Sequence, residues 1–183
     1  MLSDFFKNLE FMDKKIIILS LTTYIIGFVV SFFINIDLTN SNNIKTIQFI
    51  EELQQMQNYD LWLRILKNNI YVIIFNILGG FSFGLLTFVN TTYNGFILDY
   101  LIKNLLVNFD NNFIFNHLMP HFIEVVAIVL SCYLGYKVGL YIFQYIFKKR
   151  NMKISNSDYY ICTICFLLIF ISSILEAYVS TIQ

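Results

Sequence analysis

The feature that most constrains this chain is a run of about 21 uncharged, mostly apolar residues from Ile16 to Ile36. An α-helix needs about 20 such residues to cross the hydrocarbon core of a bilayer. A soluble helix buries one stripe and shows water the rest, and this run has no polar face to show. Further long apolar stretches follow at 70–89, 120–147 and 159–182, with a shorter one at 93–107. Composition agrees. Hydrophobic residues make up 57% of the chain and charged residues 13%, well away from the soluble-domain balance. The expected fold class is therefore all-α: a polytopic transmembrane helical bundle of about five spans plus interfacial helices, forming one membrane domain over residues 1–183.

The first run is too long for a signal-peptide core of roughly 7–15 residues, and no A-x-A site follows it, so it reads as a retained span. Leu2, Phe5, Phe6, Leu9 and Met12 share one face of a helix at 2–12, which suits a segment lying on the membrane surface. Residues 37–67 are polar and read as an extramembrane helix ending in an interfacial stretch around Trp62. The formal net charge is zero, so no basic field points to nucleic acid.

Charge placement sets the expected topology. Lys7, Lys14 and Lys15 precede the first run, while Lys148, Lys149, Arg150 and Lys153 separate the last two. The positive-inside rule puts both groups in the cytoplasm. An even number of crossings must then lie between them, which requires 93–107 to cross. Asp99 and Lys103 in that segment are four residues apart and share a helix face. A re-entrant half-helix is the alternative. Five crossings give a multi-pass cell-membrane protein with a cytoplasmic N-terminus.

Polar groups inside a bilayer are costly and mark packing or function. At helical spacing, Asn69, Asn76, Gly80 and Thr87 fall on one face, and Gly80 and Gly84 form a G-x-x-x-G. Asn94 and Gly95 follow. Ser131, Gly135 and Gly139 make a second small-residue ladder. These suit close helix contacts joined by amide hydrogen bonds; a polar path or groove is the alternative. Asn69, His121, Glu124 and Glu176 should all lie in the outer leaflet under five crossings. They form either a proton, ion or substrate site or a structural hydrogen-bond network. A zinc site would need a third strong ligand beside His121 and Glu124, and His117 offers only a loop position, so no metal is expected. Cys162 and Cys165 form a C-x-x-C, which reads either as a redox or metal pair or as small residues packed in an apolar helix. Hydrolase, zinc-protease and phosphate-loop signatures are missing from the sequence. No catalytic residue or cofactor is expected.

The stretches ILKNN, GGFSFGLLTFVNTTYNGF, MPHFIEVVAIVLSCYLGYKVGL and SSILEAYVST together resemble the stage II sporulation protein M family over roughly residues 63–182. The matching features are Asn68 and Asn69; Gly80, Gly84 and Thr87; Asn94 and Gly95; Pro120, His121 and Glu124; and Glu176 with Ala177. A Gly usually follows the Pro-His of the family, and here Phe122 stands in its place. The resemblance implies a non-enzymatic multi-span subunit of a membrane complex in sporulation or envelope remodelling. Its implied partners, besides the lipid bilayer, are other membrane proteins. One setting is a cell-wall hydrolase complex. Another is an ABC ATPase in bacteriocin export or immunity, as for relatives in circular-bacteriocin clusters. A transporter or channel subunit with an intramembrane His/Glu site is a further alternative, and association with further copies of the chain stays open.

Overall fold

The computed structural model describes residues 11–34, 58–108, 111–149 and 155–179. The surface helix expected at 2–12 falls almost wholly outside them, as does most of the polar segment 37–67. Among the described residues five α-helices form: α1 (Phe11–Phe33), α2 (Asn58–Leu78), α3 (Leu85–Asn108), α4 (Asn111–Lys148) and α5 (Asn156–Val179), with a 3-10 turn at Gly79–Ser82 between α2 and α3. By length and apolar content α1, α2 with its turn, α4 and α5 each suffice to cross a membrane.

The packing is that of a lipid-embedded bundle. Large apolar side chains such as Ile18, Leu19, Ile25, Val29, Phe32 and Phe33 on α1 point outward, while Ser20, Thr23 and Ser31 of the same helix are buried. Without water to drive apolar groups together, helices associate through small residues and hydrogen bonds, and lipid covers the large side chains. The core that does form, from Ile16, Ile73, Ala127, Tyr133, Leu134, Ile161, Cys165 and Ile169, joins α1, α2, α4 and α5. Cys165 belongs to it. Cys132, Cys162 and Cys165 are all free thiols.

Side-chain contacts give each helix a direction. Lys137 of α4 meets Asp158 at the start of α5, while His121 and Glu124 meet Glu176 near its end, so α4 and α5 are antiparallel. Asp13 at the start of α1 also reaches Lys137. Asn76 of α2 bonds Ser131, and Gly80 abuts Gly135 and Val138, so α2 runs parallel to α4. Thr87 and Asn90 of α3 bond back to the carbonyls of Asn76 and Val72, so α3 reverses the direction of α2. Alongside α1 it runs parallel, with Gly95 against Tyr24 and Lys103 donating to the Ser31 carbonyl at 2.7 Å.

Four sequence expectations are corrected here. The span expected at 70–89 is not one helix, because α2 stops at Leu78 and the chain turns back. Phe83 (φ 57°) and Gly84 (φ 86°) both take left-handed backbone conformations, which end a helix. The Ser82 hydroxyl donates to the Gly79 carbonyl and accepts from the Leu86 amide, starting α3. Gly80, Gly84 and Thr87 therefore do not share a helix face. Second, the segment expected at 93–107 begins at Leu85, and its 24 residues reach about 36 Å at 1.5 Å per residue. It is a full helix with Asp99 and Lys103 paired at 2.7 Å. Third, α4 begins at Asn111 rather than Pro120, so Pro120 and His117 both lie within the helix. Proline removes one backbone donor, and the helix continues through it. Fourth, residues 58–67 belong to α2 rather than to a helix that ends before it, and Trp62 there sets its ring edge-on to Phe170 of α5. The bounds of the first and last helices also move: residues 11–15 already belong to α1, and α5 begins at Asn156 where Tyr159 was expected, while residues 180–182 lie outside the described residues.

Candidate functional site

His121 and Glu124 lie one turn apart on α4, as three-residue spacing on a helix requires. The imidazole Nδ1 sits 3.1 Å from Glu124 Oε2. Antiparallel packing brings Glu176 of α5 to the same place, so that one ligating atom from each of the three lies within 4.8 Å of the others. All three are partly buried, and Ala177, beside Glu176, is buried against the bundle. A group with one nitrogen donor and two carboxylates can share a proton or hold a cation. Asn69 is buried on α2. Its amide nitrogen has no hydrogen-bond partner among the described residues, and its oxygen accepts from Asn68 at 3.4 Å.

The remaining sequence candidates sit at helix contacts. Asn76 is the hub. Its amide nitrogen donates to Ser131 at 2.8 Å, and its side-chain oxygen accepts from Asn90 at 2.7 Å and Thr91 at 3.2 Å. Its carbonyl accepts from the Thr87 hydroxyl at 2.8 Å. One residue thus joins α2, α3 and α4. Asn94 extends the chain by donating to the Asn90 carbonyl. The glycines let backbones touch: a Cβ on Gly135 would strike the Asn76 carbonyl, one on Gly95 the Tyr24 carbonyl, and one on Gly139 the Phe83 carbonyl carbon at 2.9 Å.

Sequence reasoning missed a second charged cluster at the other end of the bundle. Lys137 Nζ lies 2.8 Å from Asp13 Oδ1 and 2.7 Å from Asp158 Oδ1. It also donates to the Tyr133 hydroxyl at 2.8 Å, which in turn lies 3.0 Å from Asp13 Oδ1. Tyr141 donates to Asp158 Oδ2 at 3.1 Å, and so does the Ser155 amide at 3.0 Å. The acids come from α1 and α5 and the lysine from α4. The one signal in the sequence was a lysine in the middle of an apolar run.

The family model described as Stage II sporulation protein M matches residues 16–181. No curated protein and no solved structure shows a significant match to the chain.

Proposed function

We propose, because this chain belongs to the stage II sporulation protein M family, that it is a non-enzymatic subunit of a multi-protein membrane complex acting in sporulation or envelope remodelling. One observation carries this reading: the buried amides and hydroxyls around Asn76 are spent on one another, joining three helices. Such a network makes a stiff scaffold, as a docking subunit requires. In this reading the N-terminus is cytoplasmic, and all five helices cross the membrane. The end with Asp13, Lys137 and Asp158 then faces the cytoplasm, and the end with His121, Glu124 and Glu176 faces outside.

The second reading is a membrane component of an export or immunity system, or a transporter subunit. The partly buried His121–Glu124–Glu176 group favours it, since ionisable residues in spans mark ion and substrate routes.

Cross-linking in native membranes followed by purification tests the first reading. The chain is expected in a species containing a second polypeptide. Recovery only as a monomer or homo-oligomer contradicts the subunit reading. Glu124→Gln separates the two readings when set beside Asp60→Asn, which changes an exposed acid on α2. The subunit reading expects Glu124→Gln to lower complex recovery, with Asp60→Asn near wild type. Normal complex recovery with lost cellular function supports transport instead.

A further inference from the structure

His121, Glu124 and Glu176 offer the donor set that a borderline divalent cation takes: one imidazole nitrogen and two carboxylate oxygens. The sequence places Glu176 at the same depth as His121 and Glu124, and the fold brings it into contact with them from α5. We propose that these three residues form a binding site for a zinc-like divalent cation, which clamps α4 to α5 at the end of the bundle opposite Lys137.

The geometry fits a tetrahedral ion. Metal–ligand distances of about 2.0–2.2 Å place neighbouring ligand atoms about 3.4 Å apart. His121 Nδ1 and Glu124 Oε2 are already 3.1 Å apart. The full set spans at most 4.8 Å, so closure asks side chains to shift on the order of 1 Å to meet those bond lengths. His121 and Glu124 are held one turn apart by α4, so two ligands keep their spacing without the ion. Charge agrees as well. In the deprotonated form that metal ligation requires, two carboxylates and a neutral imidazole carry two negative charges, which a divalent cation cancels in full. Low-dielectric surroundings strengthen that attraction. The nitrogen donor argues against magnesium and calcium, which prefer all-oxygen shells. Binding through Nδ1 leaves the imidazole proton on Nε2, and any proton shared between Nδ1 and Glu124 leaves to solvent as the ion enters. Three protein ligands leave a fourth position for water.

The test uses the full chain in detergent micelles, stripped with a chelator and dialysed, then titrated with cobalt(II). The expected result is one tight equivalent per chain with the visible absorption bands of a four- or five-coordinate ion, displaced by one equivalent of zinc and not by excess magnesium. Glu176→Gln and His121→Gln should weaken cobalt binding by more than the roughly 10–100-fold typical of losing a supporting residue, while Asp60→Asn leaves it unchanged. No tight equivalent, or only the pale spectrum of a six-coordinate aqua ion, overturns the proposal. So does unaltered affinity in both ligand variants. If the variants do not fold, the wild-type spectrum and stoichiometry decide.

Discussion

Lys137→Met is expected to destabilise the bundle by about 3–5 kcal/mol, the cost of breaking a buried ion pair by removing one partner. Lys137 is buried between Asp13 and Asp158, each within 2.8 Å. Methionine keeps an unbranched apolar stem, one heavy atom shorter, but leaves two carboxylates facing each other with no cation. Tyr133 and Tyr141 can still hydrogen-bond the acids, but they cannot neutralise them. The midpoint of unfolding in an SDS titration should fall sharply, and the yield of folded protein with it. Replacing all three charges together, as Lys137→Met with Asp13→Asn and Asp158→Asn, should recover much of the loss, because no uncompensated charge then remains. A triple variant no better than Lys137→Met alone would mean that the ion pairs are not what the cluster contributes.

Gly135→Val is expected to separate α2 from α4. A Cβ at position 135 would run into the Asn76 carbonyl and come within 2.6 Å of Thr87 Oγ1. Those two atoms are themselves joined by a hydrogen bond of 2.8 Å. The added side chain must push the helices apart or break that bond, and the Asn76–Ser131 bond lies on the same contact. Overpacking alone costs about 1–3 kcal/mol, and an unmet buried polar group costs about 1–3 kcal/mol more. Leu86→Val, which alters an exposed residue on α3, serves as the control and should behave like wild type in the same SDS titration. Equal stability of the two variants would show that α2 and α4 are not packed this closely.

Long apolar runs made the helical membrane bundle legible, since only a span explains 16–36 without a polar face. The reversal between α2 and α3 was not legible. Gly80, Gly84 and Thr87 have spacing that suits a packing ladder on one helix, yet glycine equally supplies the left-handed residue that ends a helix. Only the fold shows that Gly84 does the second and that Thr87 meets Asn76 from another helix. His121 and Glu124 were legible as a pair because helical spacing makes them neighbours. Their contact with Glu176 depends on how α5 packs, which local pattern does not encode. The Asp13–Lys137–Asp158 cluster was hidden because two of its members had a local explanation. Asp13 sits in a charged flank before the first span, and Asp158 sits in the first turn of a helix, where acids are favoured.

The proposed topology makes α3 a full crossing between two charged clusters at opposite ends of the bundle. Labelling from outside the cell tests it most directly. In a background with Cys132, Cys162 and Cys165 replaced by alanine, single cysteines are placed at Asp60, near the start of α2, and at Lys149, just past α4. Intact cells are then treated with a membrane-impermeant thiol reagent. An even number of crossings between the start of α1 and the end of α4 puts the two positions on opposite sides, so labelling is expected at position 60 and not at 149 until the membrane is permeabilised. Labelling at both positions in intact cells would mean that α3 does not cross and that the five-crossing topology is wrong.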